Sequence, residues 1–263
     1  MDTSNDMLKT MPDTKQSKAG LLKEKFYPES QFSGITSVDG TVLFYSQVHG
    51  IARPDSVVLD IGCGRGRFDE DPVPFRRELR ILKGKVKRVI GIDVDEAGYQ
   101  NPHLDDFRKI ENDVWPIEDG SIDVAVCDFV LEHIADPEGF FREASRVLAP
   151  GGVFCARTPN AMGYVALISR MIPDRFHAKV VSKVQENRKE EDVFPTYYRC
   201  NSRSKLRRLF KKCGLTGTAL TTTAEPSYLY FSKLAYFLGV VHQKLSPPFF
   251  GQAILAFARK DSP

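Results

Sequence analysis

The chain has 263 residues, enough for one sizeable α/β domain or one domain carrying insertions. Its 37 Lys and Arg against 34 Asp and Glu leave a formal net charge of +3, which argues against a dominant nucleic-acid or strongly acidic partner. The five cysteines are scattered and include no C-x-x-C pair, so neither a zinc site nor a disulfide scaffold is indicated.

Residues 1–25 are polar. Asp2, Asp6, Lys9 and Asp13 leave no apolar core for a secretory signal, and no run approaches the roughly 20 apolar residues of a membrane span. A cytoplasmic location is therefore expected, with peripheral membrane contact left open. Residues 26–56 hold Phe26, Tyr27, Phe32, Phe44 and Tyr45, too aromatic for a tail, and read as part of a cap. The β-branched run 57–61 predicts a strand, which stops on Gly62, Gly64 and Gly66. An acidic, proline-containing loop over 68–76 leads into a basic helix over 76–82. The next strand, 88–92, ends in Asp93, and a short strand near Ile110 precedes Asn112-Asp113-Val114-Trp115-Pro116. Asp119-Gly120 marks a turn before a strand over 122–129. Asp136-Pro137 starts a helix whose buried face is Phe140, Phe141, Ala144 and Val147. Pro150-Gly151-Gly152 closes it, and a strand begins at Val153.

Residues 158–201 are too long for a plain connection and read as an insert. Ser202 is placed to cap a helix with Leu206, Leu209, Phe210 and Cys213 on one face, and strands are expected near 215–222 and 252–258. The stretch 227–241 is apolar nearly all round, the pattern of a buried helix. Strands alternating with helices predict a doubly wound, mostly parallel sheet.

The glycine spacing narrows the chemistry. Dinucleotide enzymes use G-x-G-x-x-G, which needs glycine at position 67, where this chain has Arg67. Here the pattern is D-x-G-x-G-x-G over Asp60, Gly62, Gly64 and Gly66, with Cys63 inside it. This resembles motif I of the class I S-adenosylmethionine (SAM) methyltransferases. Asp93, Asp113, the 122–134 segment and the 148–160 passage follow in the order that superfamily uses. The Leu131-Glu132-His133 box and Thr158-Pro159-Asn160 are similar to the subgroup containing ubiquinone-type O-methyltransferases. The resemblance spans about residues 50–160.

The resemblance implies a Rossmann-like fold with a seven-stranded sheet and an antiparallel last strand, and SAM as cofactor. It implies Asp60, Gly62, Cys63, Gly64 and Gly66 as the floor of the SAM site, Asp93 at the ribose hydroxyls, and Val94 among the cofactor-binding residues. Asp113 and Val114 fall at the adenine, Val114 and Trp115 being candidates to wall it, with a core position an equal alternative for the tryptophan. Asp128 and Phe129 fall at the carboxyl end of their strand, where Asp128 is a candidate to position the methionine portion or a substrate hydroxyl. The corresponding division is an N-terminal cap over 1–50 and a methyltransferase domain over 51–263, with a pocket or lid insert at 158–201 and an apolar insert at 224–250.

Acceptor chemistry is less legible. A hydroxyl nucleophile benefits from a general base, and His133 follows a strand end facing the crevice. It competes with a purely structural role for that histidine, and His177 is a second candidate. A small-molecule or saccharide acceptor is expected, with a lipid-linked or quinone-like acceptor, or a non-catalytic SAM-binding regulator, as alternatives. The 227–241 stretch suits a homodimer interface, a greasy pocket or membrane docking. No metal is expected. The basic run Arg203, Lys205, Arg207, Arg208, Lys211 and Lys212 falls on the polar face of a helix, so nucleic acid is disfavoured.

Overall fold

A computed structural model describes residues 18–164, 166 and 194–261. Within them, seven strands form one sheet. These are β1 (Val57–Ile61), β2 (Arg88–Asp93), β3 (Asp106–Lys109), β4 (Ile122–Asp128), β5 (Leu148–Pro159), β6 (Leu215–Thr222) and β7 (Ala253–Lys260), in the order 3-2-1-4-5-7-6. Neighbours from β3 to β5 are parallel, whereas β7 runs antiparallel between β5 and β6. The expected architecture, antiparallel last strand included, is the one found. Two boundaries differ. The third strand precedes Ile110, and β5 starts directly at Leu148. Gly151, at φ +77°, lets the chain pass the Pro-Gly-Gly corner while the pairing register with β4 shifts between Ile122 and Val124.

Strands buried on both faces need a core on each side. On one side, α5 (Pro137–Val147) and α6 (Arg203–Lys212) cover Leu59, Ile61, Ile92, Ala125 and Phe154. Both helices begin as their sequences predict. The Asp136 side chain accepts from the Glu138 N–H with Pro137 in the first turn, and Ser202 accepts from the Lys205 N–H. Phe141 stands edge-on to Phe154 and Phe210 at ring separations of 5.4 and 5.3 Å. Each such ring adds about 0.5–1.5 kcal/mol per pair beyond its area burial.

On the other side lie α3 (Gly40–Ile51) and α4 (Pro74–Arg80). Phe44, Tyr45 and Val48 of α3 pack with Val58, Val124 and Val126. Asp39 caps α3 by accepting from the Thr41 and Val42 N–H groups, and its second oxygen accepts from Arg76. Arg76 also grips Asp71, so the acidic 68–73 loop is tied to α3. Four of the five cysteines are buried and all are free thiols.

A third, small core joins α1 (Lys18–Phe26) to α7 (Lys233–Leu245) through Leu22, Tyr27, Tyr236 and Val240, beside the short α2 (Ser30–Ser33). Here the expectation of a buried apolar helix fails. The helix starts after Ser232, and only Tyr236, Gly239 and Val240 turn fully inward, while Leu234, Phe237 and Leu238 are exposed. The reason is local: Pro226 and Leu229 press on Gly239, where even a Cβ would come within 2.7 Å of both. That contact fixes one face inward and leaves the opposite one outside. Among the described residues no helix is long and apolar enough to cross a membrane.

Candidate functional site

The parallel strands β1, β2, β4 and β5 bring their carboxyl ends to one edge, where open α/β sheets bind ligands. β1 ends on the glycine loop. The Gly62 N–H donates to the Ile92 carbonyl at 2.8 Å, and the Gly64 N–H donates to Asp93 Oδ2 at 2.9 Å. Asp93 Oδ1 accepts from the Asp95 N–H at 3.0 Å. Each carboxylate oxygen thus holds one backbone donor and keeps lone-pair capacity for more.

Gly66 sits at φ +64°, and a Cβ there would fall 2.1 Å from Asn101 Oδ1. Gly64 is different: its backbone is also left-handed, yet a Cβ would meet nothing within 4 Å. The loop is closed from beneath and open above. Asn101 closes it, its amide donating to the Cys63 and Gly64 carbonyls at 3.0 and 3.3 Å. Cys63 itself is buried, and burial, with Asp60 and Asp93 nearby, pushes its thiol far above the usual range. It packs, and does not act as a thiolate.

Asp60 lies in β1 opposite Gly91 and Val126. Burial raises its pKa to about 7, helped by the charges of Asp128 and Asp93. It lines a small cavity with Tyr45, Phe68, Arg80 and His103, with room for about one water. Phe68 stacks on His103 with ring centroids 5.1 Å apart, and the Arg80 guanidinium lies over Phe68. Arg80 Nε and His103 Nε2 are buried without a hydrogen-bond partner among the described residues.

Beyond β2, Val94 is exposed. Asn112 and Asp113 both have positive φ, 53° and 60°, in a tight turn closed by the Val114 N–H donating to the Glu111 carbonyl. Asp113 and Val114 are exposed at its tip. Trp115 turns away into the core, edge-on to Phe140, so it does not wall the edge. Arg146 clamps this loop to α5, donating to the Trp115 and Ile117 carbonyls and pairing with Glu143 and Asp119.

At the end of β4, Asp128 meets Arg157 of β5 in a bidentate pair, at 2.6 and 2.7 Å, with the Tyr45 hydroxyl donating at 3.3 Å. Arg157 is 3% exposed and also donates to Thr41. Its guanidinium lies 4.6 Å from the ring centre of Phe129. Phe129 has φ +57°, rare for so bulky a residue, and its N–H donates to the Arg157 carbonyl. Its ring is left part-exposed at the sheet edge.

His133 lies on the turn that follows β4 and begins at Val130, which packs against Gly62 of the glycine loop. Its Nδ1 lies 2.8 Å from the Pro195 carbonyl. A carbonyl only accepts, so Nδ1 must donate, and in the neutral ring Nε2 is then the acceptor. Next to it Glu132 is buried, accepting from the Thr158 hydroxyl, which in turn accepts from the Asn201 amide. The Tyr197 and Tyr198 N–H groups donate to the Glu132 carbonyl, and Tyr198 adopts φ +51°. His177, the second candidate base, lies outside the described residues.

A model of the methyltransferase domain family matches residues 38–220. The chain belongs to that family. A Mycolicibacterium smegmatis protein named a probable S-adenosylmethionine-dependent methyltransferase is 35% identical over 128 residues, 47% of this chain and 45% of the relative. A ubiquinone biosynthesis O-methyltransferase of Xanthomonas oryzae is 28% identical over 134 residues, 46% of this chain and 53% of its own. The chain spans about half the length of these curated relatives. Among solved structures, geranyl diphosphate methyltransferase in complex with SAM aligns at a TM-score of 0.51 and 15% identity, covering 86% of each chain. A SAM-dependent methyltransferase from Methanosarcina mazei aligns at 0.50 and 16%, covering 82% of this chain and 98% of that one. At such identities the structures speak to the fold, a Rossmann-like methyltransferase fold.

The residues present fit the SAM this methyltransferase family uses. The open face over Gly64 admits a ligand against the backbone, Asp93 retains acceptor capacity, and Val94, Val114 and Phe129 leave apolar side chains in solvent along one edge. Asn101 and Arg157 were missed in the sequence. The Asn-Pro turn at 101–102 signals only a loop, and a buried arginine looks like any other until its partner is known.

Proposed function

We propose that this chain transfers a methyl group from SAM to an oxygen of a small-molecule or saccharide acceptor. The observation that carries the cofactor half is the glycine loop, closed by Asn101 from below, open above Gly64, and pinned to Asp93 by a backbone hydrogen bond. In this reading Asp93 accepts from the ribose hydroxyls while Gly64 and Asp95 hold it in place. Val94 and Val114 flank the adenine, and Asp113 accepts from its exocyclic amine. Bound SAM supplies an electrophilic methyl on a sulfonium, so the chain's own task is to orient the acceptor, exclude water and take a proton.

His133 takes that proton. The Pro195 carbonyl holds Nδ1 as the donor, which leaves Nε2 a lone pair for an acceptor hydroxyl. The same hydrogen bond anchors the loop, so both roles assigned to this histidine coexist. Asp128, with its oxygens engaged by Arg157 and Tyr45, acts through placement of Phe129 and the β4 end. Positioning supplies the larger part of the rate, about 7–11 kcal/mol when the reactants are well aligned.

A quinone-like or lipid-linked acceptor is the second reading, favoured by the apolar outer face of α7 and by the ubiquinone O-methyltransferase among the relatives.

The test is incubation with methyl-labelled SAM and fractionated cell extract. Label in a saccharide or small-molecule fraction supports the proposal, and label in lipid moves it to the second reading. SAM binding by calorimetry with no transfer to any fraction would make the chain a non-catalytic SAM-binding regulator. For the base, His133→Ala should slow single-turnover transfer by roughly a hundredfold or more while SAM affinity holds within about twofold. An unchanged rate removes the histidine from the chemistry.

A further inference from the structure

The helix α7 carries two apolar faces on opposite sides. Tyr236, Gly239 and Val240 point into the small core with α1. Leu234, Phe237, Leu238 and Leu245, with part-exposed Val241 between them, recur at helical spacing on the far side, and Leu234 and Leu245 are 67% and 78% exposed. Leu21 of α1 is exposed as well, and Phe26 bridges the two helices with its ring 6.0 Å from that of Phe237. Such a contiguous apolar face marks a binding surface.

Its charges say what it binds. Lys233 and Lys244, about three turns apart, stand on one shoulder of the outward stripe, and α7 contains no carboxylate. On α1 and the turn after it, Lys23 and Lys25 accompany Glu24 and Glu29, so the surface stays net basic. In a twofold dimer this patch would meet its own image, lysines included. A lipid headgroup layer instead offers phosphates to the lysines and acyl chains to the leucines.

We propose that α7, braced by α1, docks this protein on an anionic membrane surface. The helix lies in the interface plane with Leu234, Leu238 and Leu245 among the acyl chains and Lys233 and Lys244 reaching the headgroups. It leaves the sheet after β6 and returns at β7, so it sits at the carboxyl edge of β6. Asn160, just after β5, donates to the Phe249 and Gly251 carbonyls and ties the return of this segment to the edge where β4 and β5 end. Docking would hold that edge beside the lipid whether the acceptor is a lipid or a soluble molecule, so the inference does not depend on acceptor identity.

Co-sedimentation of the full chain with vesicles of phosphatidylcholine, with and without an equal share of phosphatidylglycerol, tests this. The protein should pellet with the anionic vesicles and bind the neutral ones roughly tenfold more weakly. Leu234→Ser/Leu238→Ser/Leu245→Ser should lose roughly a hundredfold in partitioning, with circular dichroism and SAM affinity intact. Lys233→Glu/Lys244→Glu alters no packed residue and should cost roughly tenfold or more, on anionic vesicles alone. That pair decides the matter if the serine variant misfolds. Failure of the wild type to pellet, pelleting unaffected by either set, or a dimer in sedimentation velocity that the serine variant dissolves without any vesicle binding would each overturn the proposal.

Discussion

The two ends of the candidate ligand edge are built by different means. Around β1 and β2, the loop Gly62 to Gly66 is held by main-chain hydrogen bonds to Ile92 and Asp93 and by the Asn101 amide. Its determinants are backbone conformation and one carboxylate. Around β4, β5 and β7 the edge is assembled from distant pieces: Asn160 with the 249–251 segment and His133 with Pro195. A site made of main chain fixes one ligand and tolerates little change. A site made of side chains from separate inserts can be altered piece by piece, which suits a common donor with varied acceptors.

That contrast can be broken at its joint. Arg157 links the halves by holding Asp128, Thr41 and Phe129 together. Arg157→Leu should cost about 3–5 kcal/mol, because it strands a buried carboxylate, measured by denaturant unfolding. The double variant Arg157→Leu/Asp128→Leu should recover most of it. A single-variant loss under about 1 kcal/mol would mean that the pair does not brace the edge.

The next effect belongs to the cofactor end alone. Asp93→Ala removes the acceptor for the Gly64 N–H and for a ribose, and should weaken SAM binding by roughly a hundredfold in calorimetry, with charge-assisted hydrogen bonds at about 1.5–3 kcal/mol each. Leu234→Ser, at the other end, should leave SAM affinity unchanged. Equal losses would mean that the two ends of the edge are not independent.

A smaller effect is one of pH. Asp60 has its pKa raised from 3.8 to about 7 in the fold, chiefly by burial. Between those values the folded state binds the proton more tightly than the unfolded chain does. Asp60 therefore contributes stability that is full below the unfolded pKa and lost as pH rises toward 7, at up to about 1.4 kcal/mol per pH unit. Asp60→Asn should flatten that part of the unfolding profile and leave the variant more stable than the wild type at pH 8. An unchanged slope would mean the carboxylate is ionised throughout. The smallest effect is at the helix that follows the 194–201 segment, where Ser202→Ala removes the α6 cap and should cost about 1 kcal/mol with SAM affinity unchanged.

The parts legible in the sequence are those coded within a few residues. Val57 to Gly66 announces a strand and a turn, Asp136-Pro137 and Ser202 announce helix starts, and the alternation of strand and helix gives the sheet. Trp115 and the α7 segment were not legible, because hydrophobicity does not say which neighbour an apolar face meets. Trp115 meets Phe140, while half of α7 meets nothing in the described chain. Arg157 was silent for a related reason: its function lies in Asp128, reached only by pairing β4 with β5.

The antiparallel β7 has a consequence for how this chain is made. It fills the slot between β5 and β6, yet its residues, Ala253–Lys260, are translated after both. Until they arrive, β5 and β6 each present a row of unsatisfied backbone donors and acceptors, and β5 is among the most buried strands of the finished sheet. The nascent chain must carry that open slot through the synthesis of α7, an outward-greasy helix, before one strand seals both edges at once. While residues 223–252 are being added, that open slot is what a holdase, or another copy of the chain, would meet.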